Sequence, residues 1–155
     1  MIYESKLLKT LIVDGNPKPL KRHRTGRNNH TYDPSKADKE EFLWSVSNKK
    51  PMNPYVIPLF VDMYFYMKRP KVHYGTGKNS DMLKKDAPHF HTNTPDLDNL
   101  TKFVLDALNK VFWKDDSCIC YFTAVKQYDT NPRTIIEIHE GFLWFVIIEI
   151  WYSIY

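Results

Sequence analysis

Apolar residues in this chain recur with two periods, every second position in some stretches and every third or fourth in others. Leu7–Val13 is the first apolar run and predicts a strand, ended by the turn cluster Asp14-Gly15-Asn16-Pro17. Asp33-Pro34 pairs a capping residue with the residue best suited to the first helical position. A helix is predicted from there to about Lys49, with Phe42, Leu43 and Val46 as its buried stripe and Pro51 and Pro54 beyond its end. In the aromatic and β-branched run Tyr55–Met67, Val61, Met63, Phe65 and Met67 alternate, which predicts a strand with one buried face. Pro58 confines the start of that run to an edge or a bulge. Leu100, Phe103, Val104, Ala107 and Leu108 fall at helical spacing and predict a helix from Asn99 to about Asn109. Ser117–Tyr128 and Thr134–His139 read as a hairpin turning through Asp129-Thr130-Asn131-Pro132. The order β-α-β-α-β-β predicts an α+β domain, a mixed sheet with two main helices packed on it.

Two long polar stretches interrupt this order. Residues 15–32 form a basic loop, and loops of that length without structure of their own are usually functional or disordered. Pro70–Pro95, rich in lysine and with glycines at 75 and 77, reads as a mobile loop. The 155 residues suffice for one domain with a real core, assigned to residues 1–140. Residues 141–155 are an apolar, β-prone extension, read as an extra strand or an interface segment. The apolar run Phe142–Tyr155 contains Glu149 and is too short to span a bilayer. The N-terminus is polar and mixed from the start, unlike a signal peptide, so a cytoplasmic, non-secreted protein is expected.

Charge changes the picture through its distribution. The net charge of +4 favours an anionic partner only mildly. Residues 15–32, however, hold Lys18, Lys21, Arg22, Arg24 and Arg27 with no acid among them, whereas residues 96–116 hold five aspartates against three lysines. Cations to grip a phosphate backbone and carboxylates to hold a metal are what metal-assisted phosphate chemistry requires. Cys118 and Cys120 lie two apart on a predicted strand, poorly placed to bridge each other, which points to a reducing compartment. Together with His89 and His91 they offer a possible Zn²⁺ donor set, although one-residue spacing within each pair is unusual for zinc. The two histidines also precede the acidic segment closely and are candidates for DNA contacts.

The chemistry concentrates in Pro95-Asp96-Leu97-Asp98-Asn99-Leu100-Thr101-Lys102 and its continuation through Asp106 to Asp115-Asp116. In an extended run, Asp96 and Asp98 face the same way and Leu97 points into the core. Asp98 is placed to cap the following helix, with Lys102 one turn along on the same face. The residues from Lys110 to Asp116 are long enough, at about 23 Å when extended, to return a third carboxylate to the first two. Hard oxygen donors suit Mg²⁺, with Mn²⁺ as a substitute, and such ions assist phosphodiester hydrolysis. A nearby lysine stabilises charge on the reacting phosphate. Taken singly, each piece has an ordinary explanation: capping for Asp-x-Asp, a solvated surface position for Lys102, a salt-bridging helix residue for Asp106, a turn for Asp115-Asp116.

The string PDLDNLTKFVLDALNKVFWKDD resembles the signature of RusA-type Holliday junction resolvases, with its D-x-D-N-L-x-x-K helix start, D-A-L and aspartate pair. Gly15-x-Pro17, the basic run Lys21-Arg22-His23-Arg24, Gly26 and Tyr32-Asp33-Pro34 resemble that family's opening, so the likeness spans most of residues 7–139. The resemblance implies metal-binding carboxylates at Asp96, Asp98 and Asp116, an essential lysine at Lys102, Mg²⁺ as cofactor, and a homodimer making paired nicks across four-way junctions in recombination and repair. The long Pro70–Pro95 loop and the Phe142–Tyr155 tail depart from compact members.

A different class of function is a non-catalytic binder of branched or single-stranded nucleic acid. The basic loop and aromatics such as Tyr32, Tyr74 and Trp113 suit that role, but it leaves the aspartates without a task. A glycosyltransferase using Asp-x-Asp needs a longer nucleotide-sugar fold.

Overall fold

A computed structural model describes residues 3–22, 24–25 and 31–143. The elements are β1 (Tyr3–Asp14), β2 (Arg24–Thr25), β3 (Thr31–Tyr32), α1 (Lys36–Ser45), β4 (Leu59–Lys68), α2 (Leu97–Leu108), β5 (Ile119–Asp129) and β6 (Arg133–Leu143). β1, β6, β4 and β5 form one sheet in that spatial order, and β2 and β3 form a separate two-stranded ribbon. β4 runs parallel to β5 and antiparallel to β6, which in turn is antiparallel to β1. The architecture is therefore α+β with a mixed sheet and two main helices, as the periodicities predict.

The alternation in β4 is fully expressed. Leu59, Val61, Met63, Phe65 and Met67 are buried, and they meet Leu11 of β1, Ile136 and Ile138 of β6, Phe42 of α1 and the α2 stripe in one core. All five predicted α2 core residues are buried there, and Phe42 meets Phe103 edge-on at 5.5 Å. Burying a side chain such as Leu100 contributes about 1.5–3 kcal/mol. Both helices therefore cover the same sheet face. The opposite face carries Phe60, Asp62, Tyr64 and Tyr66 of β4 and Ile135, Glu137 and His139 of β6, paired across the strands. There Gly141 gives room to an aromatic ring: a Cβ on it would stand 2.6 Å from Phe60.

Several expectations are corrected. β5 and β6 are not a hairpin, because β4 lies between them. The α2 crossover sets β5 beside β4 in parallel, and the turn after β5 then carries the chain past the end of β4, where Arg69 N–H donates to Asp129 O. Two strand spacings are about 9.6 Å, a distance that residues 130–132 span easily. The outer side of β4 needs a partner as much as the inner side, so the most apolar strand takes the centre and β5 becomes an edge. α1 begins later than predicted: Ser35, fully buried, is its N-cap, while Asp33 accepts a hydrogen bond from Ser35 N–H at 2.8 Å. α2 begins earlier, at Leu97, which is exposed and not part of the core. The Pro70–Pro95 stretch is tied down: Tyr74 pairs with Leu83, and Phe90 pairs with Gln127 along the outer edge of β5. β6 runs on to Leu143, and the rest of the predicted extension, residues 144–155, lies outside the described residues.

Candidate active site at the start of the second helix

Asp96 occupies the N-cap of α2 with an extended backbone, yet its side chain makes no capping hydrogen bond. Aspartate at this position ordinarily accepts from the first free N–H groups of the helix, a contact worth about 1 kcal/mol. The cap position is thus Asp96 and not Asp98. Asp98 sits in the first turn, where the positive end of the helix dipole favours a carboxylate. Lys102 lies one turn along, its Nζ 3.3 Å from Asp98 Oδ2, with both side chains 61% exposed. An ion pair so well solvated adds little stability. Its importance is positional, since it sets an ammonium beside the Asp98 carboxylate on an open surface, in the turn that follows Asp96.

The approach to Asp96 is held by a residue that sequence reasoning missed. Lys126 of β5 donates to the carbonyl oxygens of Asn93 and Pro95 at 2.7 and 2.6 Å. Next to it, His91 N–H donates to Lys126 O, and the His91 ring packs on Tyr128 at 4.7 Å. Burial, and then the Lys126 charge, lower the His91 pKa, so the ring stays neutral near physiological pH and serves the packing of this strap. Nothing in its pattern distinguished Lys126 from any other lysine on an alternating strand. The Zn²⁺ donor set is not assembled: His89 and His91 lie beside the end of β5, whereas Cys118 and Cys120 stand at its beginning, about 20 Å or more along the strand. Both cysteines are free.

The aspartate pair divides its work. Asp115 accepts from Ser117 N–H at 3.0 Å and caps a short 3₁₀ turn, and this bond holds its carboxyl below the ordinary range. Asp116 accepts from the indole N–H of Trp113 at 2.9 Å. Trp113 is fully buried and bridged to Asn109 and Tyr55, which fixes Asp116 at the C-terminal end of α2. That helix has 12 residues and is about 18 Å long. Asp96 and Asp98 therefore share one end of α2 with Lys102, and Asp116 stands at the other. Asp106 is a bridge between helices, 3.1 Å from Lys39, which also reaches Asp33 at 2.8 Å.

The basic loop passes the helix start. Leu20 N–H donates to Asn99 O at 2.9 Å, so Lys21 and Arg22 follow directly beside the first turn of α2. Arg22 is exposed, and Arg24 is exposed on the β2–β3 ribbon that continues from it. Lys18 and Lys21 are already engaged: Lys18 contacts Asp38 and Glu41 at 3.0 and 2.7 Å, and Lys21 contacts Asp38 at 2.7 Å. They fasten the loop to α1. Arg27 lies outside the described residues.

Among the described residues, one group of three metal-ligating side chains has its donor atoms within 4.8 Å of one another: Asp62, Glu137 and His139, on the sheet face away from the helices. Sequence reasoning missed it as well, because cross-strand register cannot be read from spacing. No helix of the described residues is long and apolar enough to cross a membrane.

The family model described as "Endodeoxyribonuclease RusA" matches residues 14–139. The chain is also similar to "Uncharacterized protein YqaN" of Bacillus subtilis (strain 168), 31% identical over 113 residues that make up 72% of this chain and 79% of that protein. The matched region runs from the end of β1 to β6 and takes in the basic loop, Asp96, Asp98, Lys102 and Asp116. With most of its length inside that match, the chain belongs to the RusA endodeoxyribonuclease family, endonucleases that act on DNA junctions.

Proposed function

We propose that the protein is a Mg²⁺-dependent, structure-specific endonuclease that resolves Holliday junctions and other branched DNA by paired nicks, in the recombination and repair of cytoplasmic DNA. The observation that carries this reading is the start of α2, where the uncapped Asp96 carboxylate and the Asp98–Lys102 pair are open to solvent beside a basic loop.

These residues fit the ion. Mg²⁺ takes one or two carboxylates and keeps several waters, and Asp96 and Asp98 offer hard oxygen donors on an exposed surface. When bound, the ion supplies the Lewis-acid chemistry that phosphodiester hydrolysis needs near neutral pH. The chain's own residues supply the rest. Lys102 places its ammonium where negative charge grows on the phosphate, and a donor of that kind is worth about 10²–10³ in rate. Arg22, Arg24 and Arg27 hold the flanking backbone, and Lys18 and Lys21 keep their loop in position.

Asp116 belongs to the same reading through a homodimer. It lies a helix length from Asp98 in its own chain, so one chain cannot gather all three carboxylates. A two-fold pair presents identical patches to each other. In such a pair, Asp116 of one subunit completes the Asp96–Asp98 cluster of its partner, and two equivalent centres face the two scissile phosphates of a four-way junction. Mn²⁺ substitutes for Mg²⁺ on the same oxygen donors.

The test is incubation with a labelled four-way junction, with Mg²⁺ or with EDTA, mapping nicks on all four strands. Symmetric nicks on two opposed strands with Mg²⁺, and none with EDTA, are expected. Tight junction binding without nicks under any divalent ion would replace this reading with the non-catalytic binder.

A further inference from the structure

On the sheet face away from the two helices, Asp62 of β4 and Glu137 of β6 are direct cross-strand neighbours. Two carboxylates in that relation repel each other, so keeping them side by side calls for a cation between them. The side chain that reaches them is His139. Its Nε2 is 3.6 Å from Asp62 Oδ2 and 4.0 Å from Glu137 Oε2, beyond hydrogen-bonding distance. That nitrogen is buried and has no hydrogen-bond partner, an expensive condition for a polar atom unless something else occupies its lone pair.

The surroundings suit a ligand. The other ring nitrogen, Nδ1, is 3.3 Å from Ser5 Oγ, a hydroxyl that can accept an Nδ1 proton and so leave the Nε2 lone pair for an ion. The Thr123 hydroxyl donates to Asp62 Oδ1, fixing that carboxylate from behind. Donors about 2.1 Å from a shared ion stand roughly 3–4 Å apart, and the two separations fall in that range. One imidazole with two carboxylates suits a first-row transition metal better than Mg²⁺, which prefers oxygen alone.

We propose that Asp62, Glu137 and His139 form a second metal site, for a divalent first-row transition ion such as Mn²⁺, Co²⁺ or Zn²⁺. It lies on the sheet face opposite α2 and apart from the Asp96–Asp98 centre. The competing account is a simple ion pair, with a protonated His139 as the cation.

The two are separated by Co²⁺ titration of the full chain carrying Asp96→Asn, Asp98→Asn, Asp116→Asn, Cys118→Ser and Cys120→Ser, which removes the nuclease carboxylates and both thiols. Visible absorption and elemental analysis report the bound ion. One Co²⁺ per chain is expected, with binding weakened at least about 100-fold by His139→Gln and about 10-fold by Thr123→Ala. Asp62→Asn covers the chance that His139→Gln misfolds. It relieves the carboxylate repulsion, so the metal-free protein should melt higher while the rise in Tm on adding Co²⁺ disappears. Absence of stoichiometric binding at millimolar Co²⁺, or binding that survives both His139→Gln and Asp62→Asn, overturns the site. The readout is ion binding and not cleavage, so it stands independently of the nuclease reading.

Discussion

The two ends of α2 are built for opposite purposes. At the C-terminal end, Leu108, Phe112 and Trp113 are fully buried, and Asp116 is tied to an indole N–H. At the N-terminal end, Asp96 leaves its capping bond unmade, and Asp98 and Lys102 are mostly in water. The apolar stripe between them anchors one rigid rod. A helix start that forgoes about 1 kcal/mol of capping has its carboxylate available for something outside the chain. On the proposed reading, this difference leaves the exposed end open to a ligand and holds Asp116 at the packed end for use by a neighbouring subunit.

The sharpest way to break this contrast is to neutralise the carboxylates. Asp96→Asn and Asp98→Asn should each abolish junction cleavage while leaving binding intact or tighter, because negative charge beside DNA is lost. Asp116→Asn should also be inactive yet folded, since the amide oxygen still accepts from the Trp113 indole. Mixing the two dead proteins, Asp98→Asn and Asp116→Asn, then tests where the third carboxylate comes from. A mixed dimer that shares residues across the two-fold contains one intact centre, so it should recover nicking of a cruciform plasmid without making linear product. If the mixture stays dead after subunit exchange, each chain uses its own Asp116, and the dimeric centre fails.

A smaller loss is expected at Lys102. Lys102→Ala should slow single-turnover cleavage about 10²–10³-fold with little change in junction affinity. A large drop in affinity with normal turnover would make Lys102 a substrate-positioning residue. Smaller again is the effect of the basic loop, which sharpens the comparison by asking which cations serve the open end. Replacing Arg22 and Arg24 with glutamine should flatten the log–log salt dependence of DNA binding by about 0.9 per lost phosphate contact. Lys18→Gln should change that slope much less, because its ammonium already contacts Asp38 and Glu41. Equal slopes for the arginine and lysine variants would contradict the division of labour.

These residues also show what the sequence could convey. The α2 stripe was legible because one helix face must be apolar wherever a helix packs on a sheet, and every predicted member is buried. The Asp98–Lys102 pair was legible for the same reason, since helical spacing alone makes residues four apart neighbours. The position of β5 was not. Short connections favour pairing of consecutive strands, and only the demand of β4 for two partners places it between them. Where Asp116 sits was not legible for a related reason: chain length alone permits its return to Asp96 and Asp98, whereas its bond to the buried Trp113 indole holds it at the other end of α2. Lys18 and Lys21 looked like free cations because their acids lie in α1, outside the basic stretch. Asp62, Glu137 and His139 converge only through cross-strand register, which no spacing along the chain records.

The smallest predicted effect concerns the fastening of the loop that serves the open end. Asp38 is held below its ordinary carboxyl range of about 3.8, first by the hydrogen bond from Lys21 and then by that from Lys18. A depressed folded-state pKa means that its contribution to stability is complete above the unfolded value and lost as pH falls through the folded one. Between neutral pH and pH 5, Asp38 should therefore add nothing to the pH dependence of folding. Below about 3.8 its protonation releases the Lys21 ammonium and leaves Lys18 to Glu41 alone, while the loop keeps the bonds from Lys21 N–H to Ser35 Oγ and from Leu20 N–H to Asn99 O. Asp38→Asn should lower the melting temperature slightly at neutral pH, because exposed pairs of this kind are worth at most about 1 kcal/mol. It should also make the decline below pH 4 shallower than in the wild type. Melting curves of the two proteins from pH 7 to pH 3 decide it. Curves that stay parallel through the acid limb would mean that Asp38 keeps the same pKa in folded and unfolded chains, and that its ion pairs do not fasten the loop.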